Sequence, residues 1–211
     1  MNFLFDGPAN APVTILLAHG AGAPMDSPAM NSISKALAGR EIRIARFEFG
    51  YMAGRRSEGR RKPPPRADRL IPEYHAAIDA LAHDGLLVIG GKSMGGRVAS
   101  MIADEEFAKG RIAGLLCLGY PFHPPGKPEQ LRTKHLERMK APALICQGSR
   151  DPFGTFEEVA RYELSGAIEI LWLEDGDHDM KPRKTVTGLS MADHLQTMAE
   201  HVLTWRRTLS N

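Results

Sequence analysis

The sequence predicts one α/β domain built on a mostly parallel sheet of about six strands, with helices covering both faces. Three observations lead there. Six short apolar runs punctuate the chain, and most are continuous rather than alternating, the pattern of strands buried on both sides. Segments with apolar residues at helical spacing separate those runs, and a strand–helix rhythm of this kind builds a parallel sheet. No internal repeat or linker interrupts the chain, so residues 1–211 read as a single domain.

The first run is Val13–Leu17 (VTILL), preceded by at most a short strand near Asn2–Phe5. Ile42–Phe47 is the second. Tyr51–Arg66 (YMAGRRSEGRRKPPPR) is dense in Gly, Pro and Arg and reads as irregular. Leu70, Ile71, Tyr74, Ala77, Ile78 and Leu81 then repeat at helical spacing, with Gly85 as a stop. Leu86–Ile89 is the third strand, and Val98, Met101 and Ile102 give the following segment an apolar helical face. Ile112–Leu118 is the fourth. Tyr120–Pro128 (YPFHPPGKP) holds too many prolines for helix. Ala143–Gln147 and Ile168–Leu173 complete the strands. Thr155 and Ser190 open capping-box patterns, the second leading a helix with Met191, Leu195, Met198 and Val202 on one face. Both irregular segments leave strands at their carboxyl ends, where open parallel sheets build their sites, so both are candidate pocket walls.

A formal charge of +2 argues against a nucleic-acid partner. Cys117 and Cys146 sit inside apolar runs with no C-x-x-C pattern, as expected of buried free thiols in a reducing compartment. The start, MNFLFDGPAN, has no basic region or long apolar stretch of a signal peptide. No apolar run is long enough to span a membrane. The expectation is a soluble, cytoplasmic protein with no membrane partner. Nothing in the sequence speaks to oligomeric state.

The stretch LVIGGKSMGG, Leu87–Gly96, has two readings. GKS could end a phosphate-binding loop, which needs a glycine five residues before Gly91 and four loop residues between. That position is Leu86, and the intervening LLVI is strand. Two remaining glycines cannot wrap a triphosphate. GKSMG also fits G-x-S-x-G, a sharp strand-to-helix turn with the nucleophile at its apex and small residues on either side. Ser93 is then the nucleophile, with Gly91 and Gly95 as the small neighbours.

A serine hydroxyl needs a base. In a turn of this kind the acid and then the histidine follow on later strands. Asp151, in GSRDPFG after the fifth run, is the candidate acid. His178, in EDGDHDM after the last run, is the candidate base, with Asp175 as a fallback acid. Asp151-Pro152 could instead start a turn, and His178 could be one member of a surface charge cluster. His194 and His201 fall on the last helix and His83 at a helix end, so they fit less well. An oxyanion hole needs two N–H donors. Met94, after the nucleophile, supplies one. Ala21, or neighbouring Gly20, supplies the other from the loop AHGAGAP.

With HGAGAP, GGKSMGG, GSRDPFG and DGDHDM in order from Val13 to Trp205, the chain resembles the α/β-hydrolase superfamily. It is most similar to the small, lid-poor branch near the dienelactone hydrolases, in the group of testis-expressed and NSL-complex-subunit hydrolase-like proteins. The resemblance implies a reduced α/β-hydrolase fold without a large cap. It also implies a Ser93–Asp151–His178 triad that uses neither metal nor organic cofactor.

The resemblance supplies chemistry but no substrate; the expected reaction is hydrolysis of a small carboxylic ester through an acyl-enzyme on Ser93. Tyr51, Tyr120, Phe122 and Met94 are candidate apolar lining, and His123 a candidate pocket residue. Arg55, Arg56, Arg60, Arg61, Lys62 and Arg66 face only Glu58 in their segment, and Lys181, Arg183 and Lys184 follow His178. If both stretches border one mouth, the pocket attracts carboxylate- or phosphate-bearing esters. The competing reading is an interaction protein that docks through the arginine-rich segment and catalyses little. Lys92 is expected to point away from the site and is assigned no chemistry.

Overall fold

In the computed structural model of the protein, residues 1–39, 41–58 and 63–210 are described, with side chains given at all of these except 56–58. The sheet has seven strands: β1 (Phe3–Asp6), β2 (Val13–Ala18), β3 (Ile42–Phe47), β4 (Leu86–Lys92), β5 (Gly114–Leu118), β6 (Ala143–Gly148) and β7 (Ile168–Leu173). They lie in the order β1-β3-β2-β4-β5-β6-β7. All neighbours are parallel except β1, which runs antiparallel to β3 with Phe3 opposite Phe47. The order reverses direction at β2, and ligands of such sheets bind beyond the carboxyl ends at that switch point. The helices are α1 (Pro28–Leu37), α2 (Gly50–Glu58), α3 (Ile71–Ala80), α4 (Met94–Ala108), α5 (Phe156–Val159), α6 (Lys184–Thr187) and α7 (Met191–Trp205).

Each apolar run divides its side chains between two cores. Val13, Ile15 and Leu17 of β2 face one core while Leu16 and Ala18 face the other. The same division holds for Leu116 and Leu118 against Leu115 and Cys117 in β5. On the first side lie Met30, Ile33 and Leu37 of α1 with Met198 and Val202 of α7. The second side is covered by α3, continuous with a 3-10 turn over Ala67–Leu70, and by α4. The short helices α5 and α6 lie in loops, and no large cap domain overhangs the sheet.

Two helices go beyond the elements named from sequence. Ser27 accepts a hydrogen bond from the Met30 N–H and Pro28 occupies the first turn, so α1 is a capped helix in a stretch to which the sequence reading assigns no element. The other, α2, forms within the segment expected to be irregular. Met52 is buried there, and the Gly50 N–H donates to Glu73 Oε2 at 2.6 Å, which ties its start to α3. The Tyr120–Pro128 segment is free of helix and strand, as expected.

One buried hydroxyl secures the central strand. Tyr74 of α3 is fully buried, and its oxygen accepts from the Gly90 N–H at 2.9 Å. The carbonyl oxygens of Leu16 and Gly90 lie 2.9 and 2.6 Å away and share its proton. Burial pushes the Tyr74 phenol far above its ordinary range, so it stays protonated and able to donate. Tyr74→Phe strands these backbone groups out of water. It is expected to lower stability by about 1–3 kcal/mol, read as a fall in the urea midpoint at unchanged m-value.

Candidate active site

The end of β4 and the start of α4 hold Ser93 at φ 51°, ψ −114°, a left-handed conformation that costs a non-glycine residue of order 1–3 kcal/mol. Two contacts sustain it: the Ser93 N–H donates to the Leu118 carbonyl at 2.9 Å, and the Ser93 carbonyl accepts from Arg97 N–H at 3.0 Å. Close approach explains the flanking glycines. A Cβ on Gly91 would lie 2.4 Å from the Ala18 carbonyl oxygen, and one on Gly95 would lie 2.5 Å from that oxygen and 2.7 Å from the His19 oxygen. The phosphate-loop alternative finds no loop here, since Gly90 and Gly91 belong to β4.

The loops after β6 and β7 bring Asp151 and His178 to this turn. His178 Nε2 lies 2.9 Å from Ser93 Oγ, and His178 Nδ1 lies 2.8 Å from Asp151 Oδ2. A carboxylate only accepts, so the Nδ1 proton points at Asp151 and the Nε2 lone pair faces the serine hydroxyl. Asp151 is fully buried, yet both oxygens are satisfied. Oδ2 also accepts from Gln147 Nε2 at 2.9 Å, and Oδ1 accepts from the Phe153 N–H at 2.9 Å. The fallback acid is committed elsewhere. Asp175 accepts hydrogen bonds from the side chain and backbone of Arg183, which hold its carboxyl down to about 2, and it lies near Arg150.

Beside Ser93, the N–H groups of Ala21 and Met94 have no hydrogen-bond acceptor among the described residues. The Ala21 loop is fixed from beneath by His19, which is completely buried. The Phe49 N–H donates to His19 Nε2 at 3.2 Å, leaving Nδ1 as donor to the Gly20 carbonyl at 2.7 Å. Tyr51 donates its hydroxyl to the Ala21 carbonyl at 3.0 Å, and burial raises its pKa to about 12.

Two clefts meet at Ser93. The larger, about 490 Å³, runs past Met94, Arg97, Pro121, Arg132 and Phe153. The smaller, about 290 Å³, is bounded by Gly22, Met30, Lys92 and His178. Ala21 and Phe153 border both, and the Phe153 ring packs on His178 with centroids 4.2 Å apart.

Several sequence expectations are corrected. Tyr120, Phe122 and His123 line neither cleft; they are buried, and the two aromatic rings pack edge-to-face within the core. Tyr120 N–H donates to Gln147 Oε1 at 2.7 Å, and His123 Nδ1 lies 2.8 Å from the Pro124 carbonyl. Tyr51 braces the Ala21 loop without bordering either cleft. Arg55 lies over the Tyr51 ring, also away from both clefts. The Arg56 side chain and Arg60, Arg61 and Lys62 lie outside the described residues, leaving Arg66 as the member of that basic run that borders the larger cleft. Lys181, Arg183 and Lys184 border neither cleft.

Lys92 does not point away. It is 7% exposed, and its Nζ donates to the His178 carbonyl at 2.6 Å, with Asp179 Oδ1 at 3.4 Å. Burial pulls its pKa below the ordinary lysine value. His19, Lys92 and Phe153 fall inside HGAGAP, GGKSMGG and GSRDPFG with no supporting role read for them, and Gln147 lies outside those motifs. Their hints in sequence are slight: a polar residue closing the apolar run LIC, and a lysine inside a glycine turn.

Fold and site together define a hydrolase of the α/β type. A family model described as an alpha/beta hydrolase domain matches residues 11–207, and the chain belongs to that family. Similar folds include a dienelactone hydrolase from Anabaena variabilis, at 19% identity and TM-score 0.72, covering 99% of this chain and 92% of that one. An alpha-beta serine hydrolase homologue from Coxiella burnetii matches at 19% identity and TM-score 0.67, covering 98% and 90%. An a/b serine hydrolase without lid from Xanthomonas campestris matches at 18% and 0.66, covering 99% and 89%. Among the described residues, no helix is long and apolar enough to cross a membrane.

Gly95→Ala sets a side chain against two carbonyls and is expected to destabilise by about 3 kcal/mol. Gly22→Ala meets no atom within 4 Å and should leave the urea midpoint unchanged, so equal midpoints for the two variants would contradict the close-approach argument. Lys92→Met separates site geometry from stability. Replacing a desolvated cation by an apolar chain should cost little stability, whereas freeing the His178 backbone should slow Ser93 phosphonylation by a fluorophosphonate roughly 10-fold or more.

Proposed function

We propose that the protein is a serine esterase, acting on small carboxylic esters through an acyl-enzyme on Ser93. The observation that carries this reading is the continuous chain from Ser93 Oγ through His178 to the buried Asp151, at 2.9 and 2.8 Å. Ser93 Oγ attacks the ester carbonyl carbon while His178 Nε2 takes the hydroxyl proton. Negative charge on the carbonyl oxygen is met by the N–H groups of Ala21 and Met94 and by the N-terminus of α4. Collapse of the tetrahedral adduct breaks the bond to the alcohol oxygen, which leaves with the proton from His178. Water, deprotonated by the same nitrogen, then attacks the acyl carbon, and the acid departs as Ser93 regains its proton. Asp151 keeps the imidazole in one tautomer and stabilises its cation.

The reading needs no metal or organic cofactor, and it takes residues 1–211 as one catalytic domain. Its partner is a small-molecule ester, with no nucleic acid or membrane. Free, buried Cys117 and Cys146 accord with work in a reducing, cytoplasmic setting. The docking-scaffold alternative draws no support from Arg55, which lies on Tyr51.

The test is labelling by a fluorophosphonate probe in wild type, Ser93→Ala and His178→Ala. Wild type should label, Ser93→Ala not at all, and His178→Ala about 1,000-fold more slowly or worse. A folded wild-type protein that stays unlabelled would overturn the reading. Asp151→Asn, which disturbs the tautomer without removing the base, should fall between the wild type and His178→Ala.

A further inference from the structure

We propose that Arg97 and Arg132 form an anion-binding subsite in the larger cleft, so that the preferred ester carries a second, negatively charged group such as a carboxylate. The proposal rests on the serine-esterase reading for its reacting centre, and it names a substrate class for that site.

The pair differs from other arginines of the protein. Arg46 pairs with Asp6, Arg111 with Asp79 and Glu106, and Arg183 with Asp175. Among the described residues, neither Arg97 nor Arg132 has an ion pair or a side-chain hydrogen bond, and Arg97 Nε is buried without an acceptor. Both nevertheless border the cavity that opens on Ser93 Oγ. The acidic residue that lines this cavity, Asp68, pairs with Arg66, so the two cations face it without a counter-charge of their own and repel each other. Burial first, and then the charge of Arg97, pull the Arg132 pKa down. A neighbouring base responds in the same sense. Burial and then Arg97 push His135 down to about 4, so it is neutral near pH 7 and adds no third charge. An anion of the right size is the missing partner, because guanidinium groups bind carboxylates through paired charge-assisted hydrogen bonds.

The third arginine of the cleft, Arg66, is held differently. It pairs with Asp68 at 3.2 Å, and both are exposed at the rim. The subsite is therefore the inner pair. Arg97 stands one helical turn beyond Ser93, its N–H donating to the Ser93 carbonyl, which puts its Cα about 5–6 Å along α4 from the nucleophile. A cavity of about 490 Å³ has room for a short chain bearing a terminal carboxylate.

The experiment compares two six-carbon acyl donors, p-nitrophenyl hexanoate and mono-p-nitrophenyl adipate, which differ by the terminal carboxylate. Wild type should show kcat/KM roughly 10- to 100-fold higher for the adipate. Arg97→Met and Arg132→Met should each cut that ratio about 10-fold, and the double variant should abolish it. Arg132→Lys, which keeps the charge without the fork, should retain part of it. Adipate dianion binding, followed by calorimetry on wild type and on the double variant, decides the matter if turnover is absent. Tighter binding to wild type supports the subsite, and equal or undetectable binding to both overturns it. Fluorophosphonate labelling keeps the two readings apart. A labelled wild type with no adipate preference overturns the anion subsite alone, whereas an unlabelled one that still binds adipate through these arginines overturns the esterase reading alone.

Discussion

At the Ser93 turn, the ends of β2 and β4 and the first turn of α4 press together so closely that the carbonyls of Ala18 and His19 would touch any side chain on Gly91 or Gly95. Everything else in the site depends on that contact. It holds Ser93, at φ 51°, in a backbone conformation it would not choose alone. It also sets the β2 loop beside the start of α4, so that Ala21 and Met94, from distant parts of the chain, border one cleft. The sheet order contributes equally. Because β2 and β4 are neighbours although α1, β3, α2 and α3 intervene in sequence, the Ala21 loop and the Ser93 turn emerge side by side at the carboxyl edge. Tyr74, bonded beneath Leu16 and Gly90, ties the same two strands from below.

Burying a carboxylate is costly unless each of its oxygens accepts a hydrogen bond. Asp151 meets that condition through Gln147, Phe153 and His178. Gln147 is itself fixed, since its Oε1 accepts from the Tyr120 N–H while its amide also reaches the Gly154 carbonyl. That explains why Tyr120 and Phe122 are core residues and not pocket residues. The segment after β5 turns back over β6, and its backbone, not its aromatic rings, serves the acid. The proline-rich sequence that suggests a pocket wall supplies one in Pro121 and, further on, Arg132.

The strands are legible in the sequence because parallel strands covered on both faces leave continuous apolar runs, and β2, β3, β6 and β7 fall within a residue of those runs. β1 leaves only a faint signal, since an edge strand of four residues buries little. α2 escapes a sequence reading for the opposite reason. Gly54 and its arginine and serine neighbours suggest a loop, but anchorage at Gly50 and burial of Met52 outweigh local propensity. The residues Ser93, Asp151 and His178 are legible because each lies at the carboxyl end of a strand in a required order. Their supports are not. Gln147, His19, Phe153 and Lys92 act through contacts that cross from one loop to another, and a pairing such as Lys92 with the His178 carbonyl, 86 residues away, leaves no local pattern to read.

The same distinction governs the charges. A run of basic residues in sequence marks places where cations are numerous, but a site responds to those whose charge is not already neutralised. Arg183, in the basic stretch that follows His178, is spent on Asp175. On one side of Ser93, the N-terminus of α4, the open N–H groups and the Arg97–Arg132 pair all favour negative charge. On the other, Asp179 pairs with Lys92 and Asp177 with Arg150, which leaves Asp151, against His178, as the uncompensated negative charge. The field is polarised across Ser93. Under the proposed acyl transfer an oxyanion and an imidazolium form at the same moment, and positive groups behind the first with Asp151 behind the second lower the energy of both.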